Sequence, residues 1–416
     1  MYKPGGYHPV MIGDLLGGRY RIVDKLGSGG YSTVWLAHDD RLARYVAIKA
    51  NVSNASFPQR EAGILRALSL SNPATSMINV DAHDTVPSLL DEFNVQGPSG
   101  THTCHVMAPA QGNLKEASFS RLFPIQVVRA LAAKMATAVE YVHSRGSVHG
   151  DIHLRNALLK LPSAFDDLSV DQFRDRFGEP ETMPIRRVDG EPLPVNVPQD
   201  AVLPLYLGKK AQGFTLEDAR GLFLGDFGEA FGPAAERRLG RNCNTPVARR
   251  APETLFEPEA SMSFPSDVWS LATAIWEILG MKFIFSESET VDESLAEQID
   301  VLGLHDFPLA WREAWERTAA DVDEDIPRRP VGDREVWPPL EEAFEEFVQK
   351  YRRKQKRIGT FEDETAAIMD LMRGMLKFRP EERLTMEEVL KSRWMVQWAL
   401  PQLEGEAEPK KGRPAA

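Results

Sequence analysis

Cysteine is scarce in this chain of 416 residues, which has only Cys104 and Cys243. Two thiols cannot make the disulfide framework of a small secreted protein, so we expect a reducing cytoplasmic or nuclear compartment. Long apolar runs are missing too, because Glu277 and Lys282 interrupt the most apolar stretch, 268–285. That stretch favours a buried helix over a membrane span. The first twenty residues lack the apolar segment of a signal peptide, so we expect a soluble protein without membrane association.

Positive charge is also in deficit. Lys and Arg number 49 against 61 Asp and Glu, which gives a formal net charge of −12. This balance argues against direct nucleic-acid binding and mildly favours basic partners. Apolar content of 43% and charged content of 26% exclude disorder for most of the chain. The length allows two or three domains, or one large two-lobed enzyme.

The hydrophobic pattern changes along the chain. Alternation over 20–49 predicts strands around a Gly-rich turn, and further strands are predicted at 86–93 and 102–107. Helical periodicity starts near Arg60. Beyond Pro124, apolar residues at three- and four-residue steps predict a long amphipathic helix; they are Val128, Leu131, Met135, Val139 and Val142. We therefore predict an α+β fold, with a small β-rich N-terminal lobe at 20–108 after an extension at 1–19, and a larger helical lobe at 109–400.

Two segments lack this periodicity. Seven prolines fall between Pro162 and Pro204, and we predict an extended surface insert at about 161–213 within the helical lobe. The end of the chain, 401–416, is rich in Pro, Gly and charge and is predicted to be a disordered tail.

A Gly-rich turn between two predicted strands is the first candidate site. Its glycines allow backbone N–H groups to approach phosphate oxygens, although a hairpin turn with no ligand explains the same pattern. The residues assigned to it are Gly27, Ser28, Gly29, Gly30, Ser32 and Val34. On the next strand, Lys49 is placed to neutralise phosphates and to pair with Glu61. The alternatives are that Lys49 is a solvated surface lysine and that Glu61 is an exposed helix residue.

Two further motifs contain carboxylates. In the segment HGDIHLRN, Asp151 is suited to accept a hydroxyl proton and Asn156, five residues later, to bind a metal. Asp226 follows an apolar strand, where it suits Mg²⁺ that bridges nucleotide phosphates. Downstream, Glu253 and Arg383 are a candidate buried pair, with an ordinary surface ion pair as the alternative. Each motif alone is weak, but their common order predicts a protein-kinase fold.

With these motifs in place, residues 16–398 resemble a eukaryotic protein kinase, and within that superfamily the SR-protein kinases. The resemblance rests on GGYHPV at 5–10, on IGDLLGGRY and GSGGYSTVWLAHD, on the Pro-rich insert and on the stretch around Gln298. It implies a bilobal fold, ATP with Mg²⁺, and phosphate transfer to Ser in Arg/Ser-rich segments of splicing factors.

The resemblance also implies residue roles. Lys49, Glu61 and the Gly-rich turn would bind the phosphates, and Asp151 would be the catalytic base. Asn156 and Asp226 would be the metal ligands. Further nucleotide-binding residues would be Ala47, Met107 as gatekeeper, and Ala108 to Ala110 as the hinge over the adenine.

The sequence departs from that pattern in the catalytic loop. Gly150 replaces the usual Arg before the loop Asp, and His153 replaces the usual Lys after it. No phosphorylatable residue occurs in 229–244. We therefore predict an enzyme that needs no activation-loop phosphate, on Thr245 or elsewhere. His153 can still donate a hydrogen bond, so we place it among the catalytic residues as a tolerated variant.

The activation segment departs as well, because Arg249 replaces a usual Tyr. Five arginines make this segment basic: Arg237, Arg238, Arg241, Arg249 and Arg250. They either bind phosphorylated or acidic residues next to the target or form a surface with no role. The acidic run 321–325 is either a docking groove for basic substrates or a solvated loop.

We predict a monomeric serine/threonine kinase that acts on protein substrates. Two alternatives remain open at this point. Gly150, His153 and Arg249 also fit a pseudokinase scaffold, and the HGDIH loop resembles that of small-molecule phosphotransferases such as aminoglycoside kinases.

Overall fold

The chain divides into two compact units, and the predicted α+β, two-lobed fold class is confirmed. The first unit comprises residues 1–71, 87–113 and 158–208, and the second comprises 72–86, 114–157 and 209–416. The computed structural model describes residues 2–53, 58–70, 82–119, 122–194, 196–287, 290–316, 327, 329–330, 333–355 and 357–405. The acidic run 321–325 lies outside these residues.

The strands are β1 (Leu15–Leu16), β2 (Tyr20–Ser28), β3 (Ser32–Asp39), β4 (Arg44–Asn51), β5 (Leu89–Gly97), β6 (Gly100–Met107), β7 (Ala110–Asn113), β8 (Ala157–Lys160), β9 (Thr182–Pro184), β10 (Asp200–Val202) and β11 (Leu222–Leu224). The helices are α1 (Pro58–Ser69), α2 (Leu114–Phe119), α3 (Ile125–Ser144), α4 (Val170–Phe177), α5 (Leu216–Arg220), α6 (Glu253–Phe256), α7 (Phe264–Leu279), α8 (Val291–Leu302), α9 (Leu309–Trp315), α10 (Leu340–Phe344), α11 (Lys350–Lys354), α12 (Thr365–Met375), α13 (Met386–Lys391) and α14 (Leu400–Glu404).

An antiparallel sheet in the order β1-β2-β3-β4-β6-β5 is the frame of the first unit. Side chains alternate between its two faces, so neighbours such as Ile22 and Val23 enter different apolar clusters. The register places Lys49 opposite Val34 on β3 and His105 on β6. The frame therefore fixes the position of this lysine from both sides.

The Pro-rich insert differs from its prediction. Residues 158–208 belong to the first unit and not to the helical lobe, and they are not simply extended. The insert forms α4, whose capping box joins Ser169 and Gln172, and the β9–β10 hairpin. Phe173 is 1% exposed and packs with Tyr45, and Leu161 joins the same cluster beneath the sheet. Widely spaced aromatic residues thus pack the insert against the sheet, although the insert has no long periodic run from which this packing could be predicted.

Residues at both ends of the chain pack on the core, which corrects the predicted disorder for 401–404. In the extension 1–19, Val10 and Leu16 are buried in the core of the first unit, and β1 pairs with β2. In the predicted tail 401–416, residues up to Glu404 continue α14, with Leu403 buried. These contacts exist because the apolar side chains fall at positions that face the core.

Helices α3 and α7 form the centre of the second unit. The predicted amphipathic helix is α3, and Val128, Leu131 and Met135 are completely buried in it. The apolar stretch 268–285 was predicted to be one helix, but α7 spans Phe264–Leu279 and stops at Gly280. Within the described part of the chain, no helix has both the length and the apolar character that a membrane span requires.

Candidate active site

The Gly-rich turn joins β2 to β3. Its hairpin is closed by the Gly29 N–H, which donates to the Ser32 carbonyl at 2.9 Å. A Cβ on Gly27, Gly29 or Gly30 would meet no atom within 4 Å, and none of these glycines has a positive φ. Neither packing nor backbone conformation therefore demands glycine here. What glycine provides is open space beside the backbone N–H groups, which suits the close approach of phosphate oxygens.

Lys49 and Glu61 form the predicted ion pair. The Lys49 Nζ lies 2.7 Å from the Glu61 Oε1, and the side chains are 8% and 1% exposed. His105, which is fully buried on the neighbouring strand, has its Nδ1 3.5 Å from the other carboxylate oxygen. The pair is therefore part of the interior of the first unit, and the two surface alternatives for these residues are excluded.

The other predicted nucleotide-binding residues of the first unit lie on the sheet or at its edge. Ala47 on β4 pairs with Met107, which ends β6. Ala108 and Ala110 are half-buried, and Ala110 begins β7. The remaining members are Ser28, which is exposed, Ser32, which is buried, and Val34, which is half-buried.

The predicted catalytic loop brings Asp151 and Asn156 together in the second unit. The Asn156 Nδ2 donates to the Asp151 carbonyl at 2.9 Å and to its Oδ2 at 3.1 Å. The Asp151 Oδ1 is buried and has no hydrogen-bond partner among the described residues. This carboxylate is thus oriented through one oxygen and has acceptor capacity left on the other, which a general base requires.

His153 contacts both of these residues. Its Nε2 lies 3.4 Å from the Asp151 Oδ2 and 3.5 Å from the Asn156 Nδ2. A neutral imidazole cannot use one nitrogen both to donate to the carboxylate and to accept from the amide, so the two contacts are alternatives. His153 therefore lies beside the base, in contact range of it.

Asp267 was not among the predicted site residues, yet it anchors this loop. Its carboxylate accepts the backbone N–H of His149 at 2.7 Å and of Gly150 at 2.9 Å, and the His143 Nε2 lies at 3.0 Å. Burial alone would raise the pKa of Asp267. The hydrogen bond from His143, the electrostatic influence of His143 and His149, and the Gly150 N–H outweigh burial and lower it.

His149 extends this anchor to the next motif. Its Nδ1 accepts the Asp151 N–H at 3.2 Å, and its Nε2 lies 3.0 Å from the Gly225 carbonyl, which fixes the proton on Nε2. Asp226 follows in a left-handed conformation with φ of 59°, which is uncommon outside glycine. Its carboxylate accepts the Gly228 N–H at 3.4 Å. Strain of this kind is concentrated at functional sites.

The activation segment is tied to its own glutamate. Arg238 is buried, and one nitrogen of its guanidinium donates to the Glu229 carbonyl at 2.6 Å and to the Glu229 carboxylate at 2.7 Å. The Thr245 hydroxyl donates to the Gly150 carbonyl at 2.8 Å, and the Arg250 Nε donates to the Thr245 carbonyl at 2.9 Å. The segment is therefore bound to the catalytic loop through groups of the chain itself.

Arg249 is not part of a free basic surface. It is 5% exposed and binds Glu277 and Glu287, the latter at 2.5 Å. Lys115 lies 3.3 Å from Glu277 and 2.7 Å from Glu287, so two cations meet two carboxylates. Burial would raise the pKa of Glu287, but Lys115 and Arg249 outweigh it and lower the pKa.

The other arginines of the predicted patch are also engaged. Arg237 donates to Ser261, and Arg241 pairs with Glu259. Arg238, Arg241 and Arg249 thus each have a carboxylate partner, which disfavours anion binding by these three and leaves Arg237 and Arg250 without a compensating carboxylate among the residues that the structure describes.

A cavity of about 270 Å³ lies beside the catalytic loop in the second unit. Its lining comprises Lys115, His153, Leu154, Arg155, Pro246, Val247, Ala248, Arg249 and Glu287. His153 also contacts Asp151, so the cavity lies beside the proposed base.

Glu253 and Arg383 form the predicted buried pair. The guanidinium binds both carboxylate oxygens, at 2.8 and 2.5 Å, and its side chain has no exposed surface. It also donates to the carbonyls of Pro265 and Phe378. The alternative of a surface ion pair is thus excluded, and this pair ties α6 to the segment before α13.

Comparison with known proteins agrees with this arrangement. The protein kinase domain family matches residues 20–165 and 210–395. The fold is similar to a solved kinase domain with a TM-score of 0.59 and 18% identity, over 94% of this chain and 98% of that one. The chain belongs to the protein kinase family and is a serine/threonine protein kinase.

Named relatives refine this assignment. A serine/threonine protein kinase of Aspergillus fumigatus is 27% identical over 95% of this chain and 89% of its own length. SRSF protein kinase 3 of Homo sapiens is 32% identical over 39% of this chain and 29% of that protein. Serine/threonine-protein kinase spk-1 of Caenorhabditis elegans is 36% identical over 38% of this chain and 16% of that protein. These relatives support the SR-protein kinase resemblance.

Replacement of Asp151 by Ala is expected to lower phosphate transfer about 10²- to 10⁴-fold, the usual contribution of a positioned base. Nucleotide affinity should stay within about twofold, since Asp151 is expected to interact with the loop and with the acceptor hydroxyl and not with the nucleotide. Steady-state kinetics and calorimetric titration with ATP and Mg²⁺ measure the two quantities.

The matched control is Asp167→Ala, which removes an exposed carboxylate from the other unit and should change neither value. Wild-type turnover in Asp151→Ala would contradict the assignment of the base.

Proposed function

We propose that this kinase transfers the γ-phosphoryl group of ATP to serine or threonine hydroxyls in basic, Arg/Ser-rich protein segments. The observation that carries the proposal is the Asp151 carboxylate, which Asn156 orients through one oxygen while the other, buried oxygen keeps its acceptor capacity. Such an acceptor suits the hydroxyl of a protein side chain.

The first unit would bind the nucleotide. The Gly-rich turn, from Gly27 to Val34, would cover the phosphates with backbone N–H groups, and Lys49 would neutralise the α- and β-phosphates while Glu61 fixes its position. Ala47, Met107, Ala108 and Ala110 would line the adenine.

The oxygen ligands of the second unit fit a hard cation. Asn156 uses its Nδ2 for Asp151, so its Oδ1 is the atom left for a metal, and Asp226 contributes a carboxylate. Carbonyl and carboxylate oxygens are the ligands that Mg²⁺ prefers. When bound, Mg²⁺ would neutralise charge on the nucleotide phosphates.

Asp151 would orient the acceptor hydroxyl and take its proton, and His153 would donate a hydrogen bond beside it. A preference for basic substrates is supported by the named relatives and by the net charge of −12. The Arg249 charge does not oppose this preference, because Glu277 and Glu287 compensate it.

Independence from an activation-loop phosphate belongs to the same proposal. In a kinase that needs the phosphate, an added anion neutralises an arginine and orders the segment. Here Glu229 supplies that anion to Arg238, and Thr245 already bonds to the catalytic loop. Segment 229–244 contains no Ser, Thr or Tyr.

A transfer assay with radiolabelled ATP tests the substrate class. The acceptors are an Arg/Ser-repeat peptide, the same peptide with Arg replaced by Glu, a generic basic protein and an aminoglycoside. We expect kcat/KM for the Arg/Ser peptide to exceed that for its Glu counterpart at least tenfold, with Asp151→Ala as the inactive control. Transfer to the aminoglycoside alone would show a small-molecule kinase, and no transfer to any acceptor would show a scaffold.

Phosphatase-treated protein, verified as phosphate-free by mass spectrometry, is expected to keep its full kcat. Glu229→Gln should lower kcat about tenfold, because Arg238 loses the carboxylate that compensates its charge. Glu259→Gln, which removes an exposed partner of Arg241, is the control and should have no effect. A requirement for phosphate on Thr245 would contradict the proposal.

A further inference from the structure

Residues 2–10, here called the N-terminal strap, are bound to the sheet of the first unit. The Gly5 N–H donates to the Ser99 carbonyl at 3.0 Å, and the Ser53 N–H donates to the Gly6 carbonyl at 3.1 Å. Val10 at the end of the strap is 3% exposed and belongs to the apolar core. The strap is thus fixed by backbone hydrogen bonds on one side and by a buried side chain on the other.

Ring packing fixes the middle of the strap. The ring of His8 lies 4.9 Å from that of His102, which is itself fixed by a 2.9 Å contact of its Nδ1 with the Asn51 carbonyl. A Cβ on Gly97 would lie 2.3 Å from the His8 Nδ1, so glycine is required there for the strap to lie this close. The backbone position of the residue before His8 is therefore fixed as well.

That residue is Tyr7, and it reaches the Gly-rich turn. Its hydroxyl donates to the Gly29 carbonyl at 2.5 Å, across 22 positions of sequence. Two residues further along the turn, the Tyr31 carbonyl accepts the Val52 N–H at 2.9 Å. Groups outside the hairpin thus hold the carbonyls on both sides of Gly30.

The Gly29 carbonyl and the Gly30 N–H belong to one planar, trans peptide unit, so they point in opposite directions. A peptide between two glycines has the lowest resistance to rotation as a unit, because neither flanking residue carries a Cβ. A donor bound to the Gly29 carbonyl therefore also sets the direction of the Gly30 N–H.

We propose that Tyr7 is a positioning residue for the nucleotide: its hydroxyl holds the Gly29–Gly30 peptide so that the Gly30 N–H stays directed away from the strap and available to a phosphate oxygen. This inference rests on the proposed role of Gly29 and Gly30 in covering the phosphates. Tyr7 itself need not touch the nucleotide, since it acts through the Gly29 carbonyl.

The test is Tyr7→Phe, which removes only the hydroxyl. We expect the Kd for ATP with Mg²⁺, measured by calorimetry, and the KM for ATP to rise about fivefold, the effect of one lost hydrogen bond. The KM for the peptide acceptor and the melting temperature should not change.

Tyr2→Phe is the matched control, because Tyr2 lies in the same strap and its hydroxyl has no hydrogen-bond partner among the described residues. Unchanged ATP affinity in Tyr7→Phe would overturn the inference. If the wild type binds ATP but phosphorylates no acceptor, the proposed function fails while the measurements of ATP binding still decide the role of Tyr7.

Discussion

The buried carboxylate of Asp267 is the acceptor on which the catalytic loop depends. It binds two consecutive backbone N–H groups, those of His149 and Gly150, and Gly150 has a φ of 76°, a conformation that disfavours residues with a Cβ. Buried N–H groups without an acceptor cost about 1–3 kcal/mol each. Since its pKa is lowered in the folded state, Asp267 stabilises the loop at neutral pH, and this contribution is lost as the pH falls through that lowered pKa.

From this anchor the remaining contacts follow in sequence. The His149 ring contacts the Asp151 N–H through Nδ1 and the carbonyl of Gly225, the residue directly before Asp226, through Nε2. The Gly150 carbonyl accepts the Thr245 hydroxyl, which joins the activation segment to the same loop. A single buried helix residue is thus connected to Asp151, to the residue before Asp226 and to Thr245 of the activation segment.

The motifs could be predicted from the sequence because each needs its residue types at fixed spacing. The Lys49–Glu61 and Glu253–Arg383 pairs form between residues that such motifs identify, and both are buried. The insert could not be placed, because Phe173 acts through a long-range contact with Tyr45 that no local period encodes; only the capping box at Ser169 was a visible signal. The compensation of the Arg249 charge could not be predicted for a related reason. Its partners Glu277 and Glu287 are distant in sequence, so the local sequence alone indicates a basic segment.

The central claim is that Asp267 holds the catalytic loop, and hydrogen exchange of the His149 and Gly150 amides, resolved by NMR, tests it directly. The two amides should exchange as slowly as the buried helix that carries Asp267, and Asp267→Asn should accelerate both while leaving the amides within α3 unchanged. Exchange of these amides in the wild type at the rate of an exposed loop would contradict the claim.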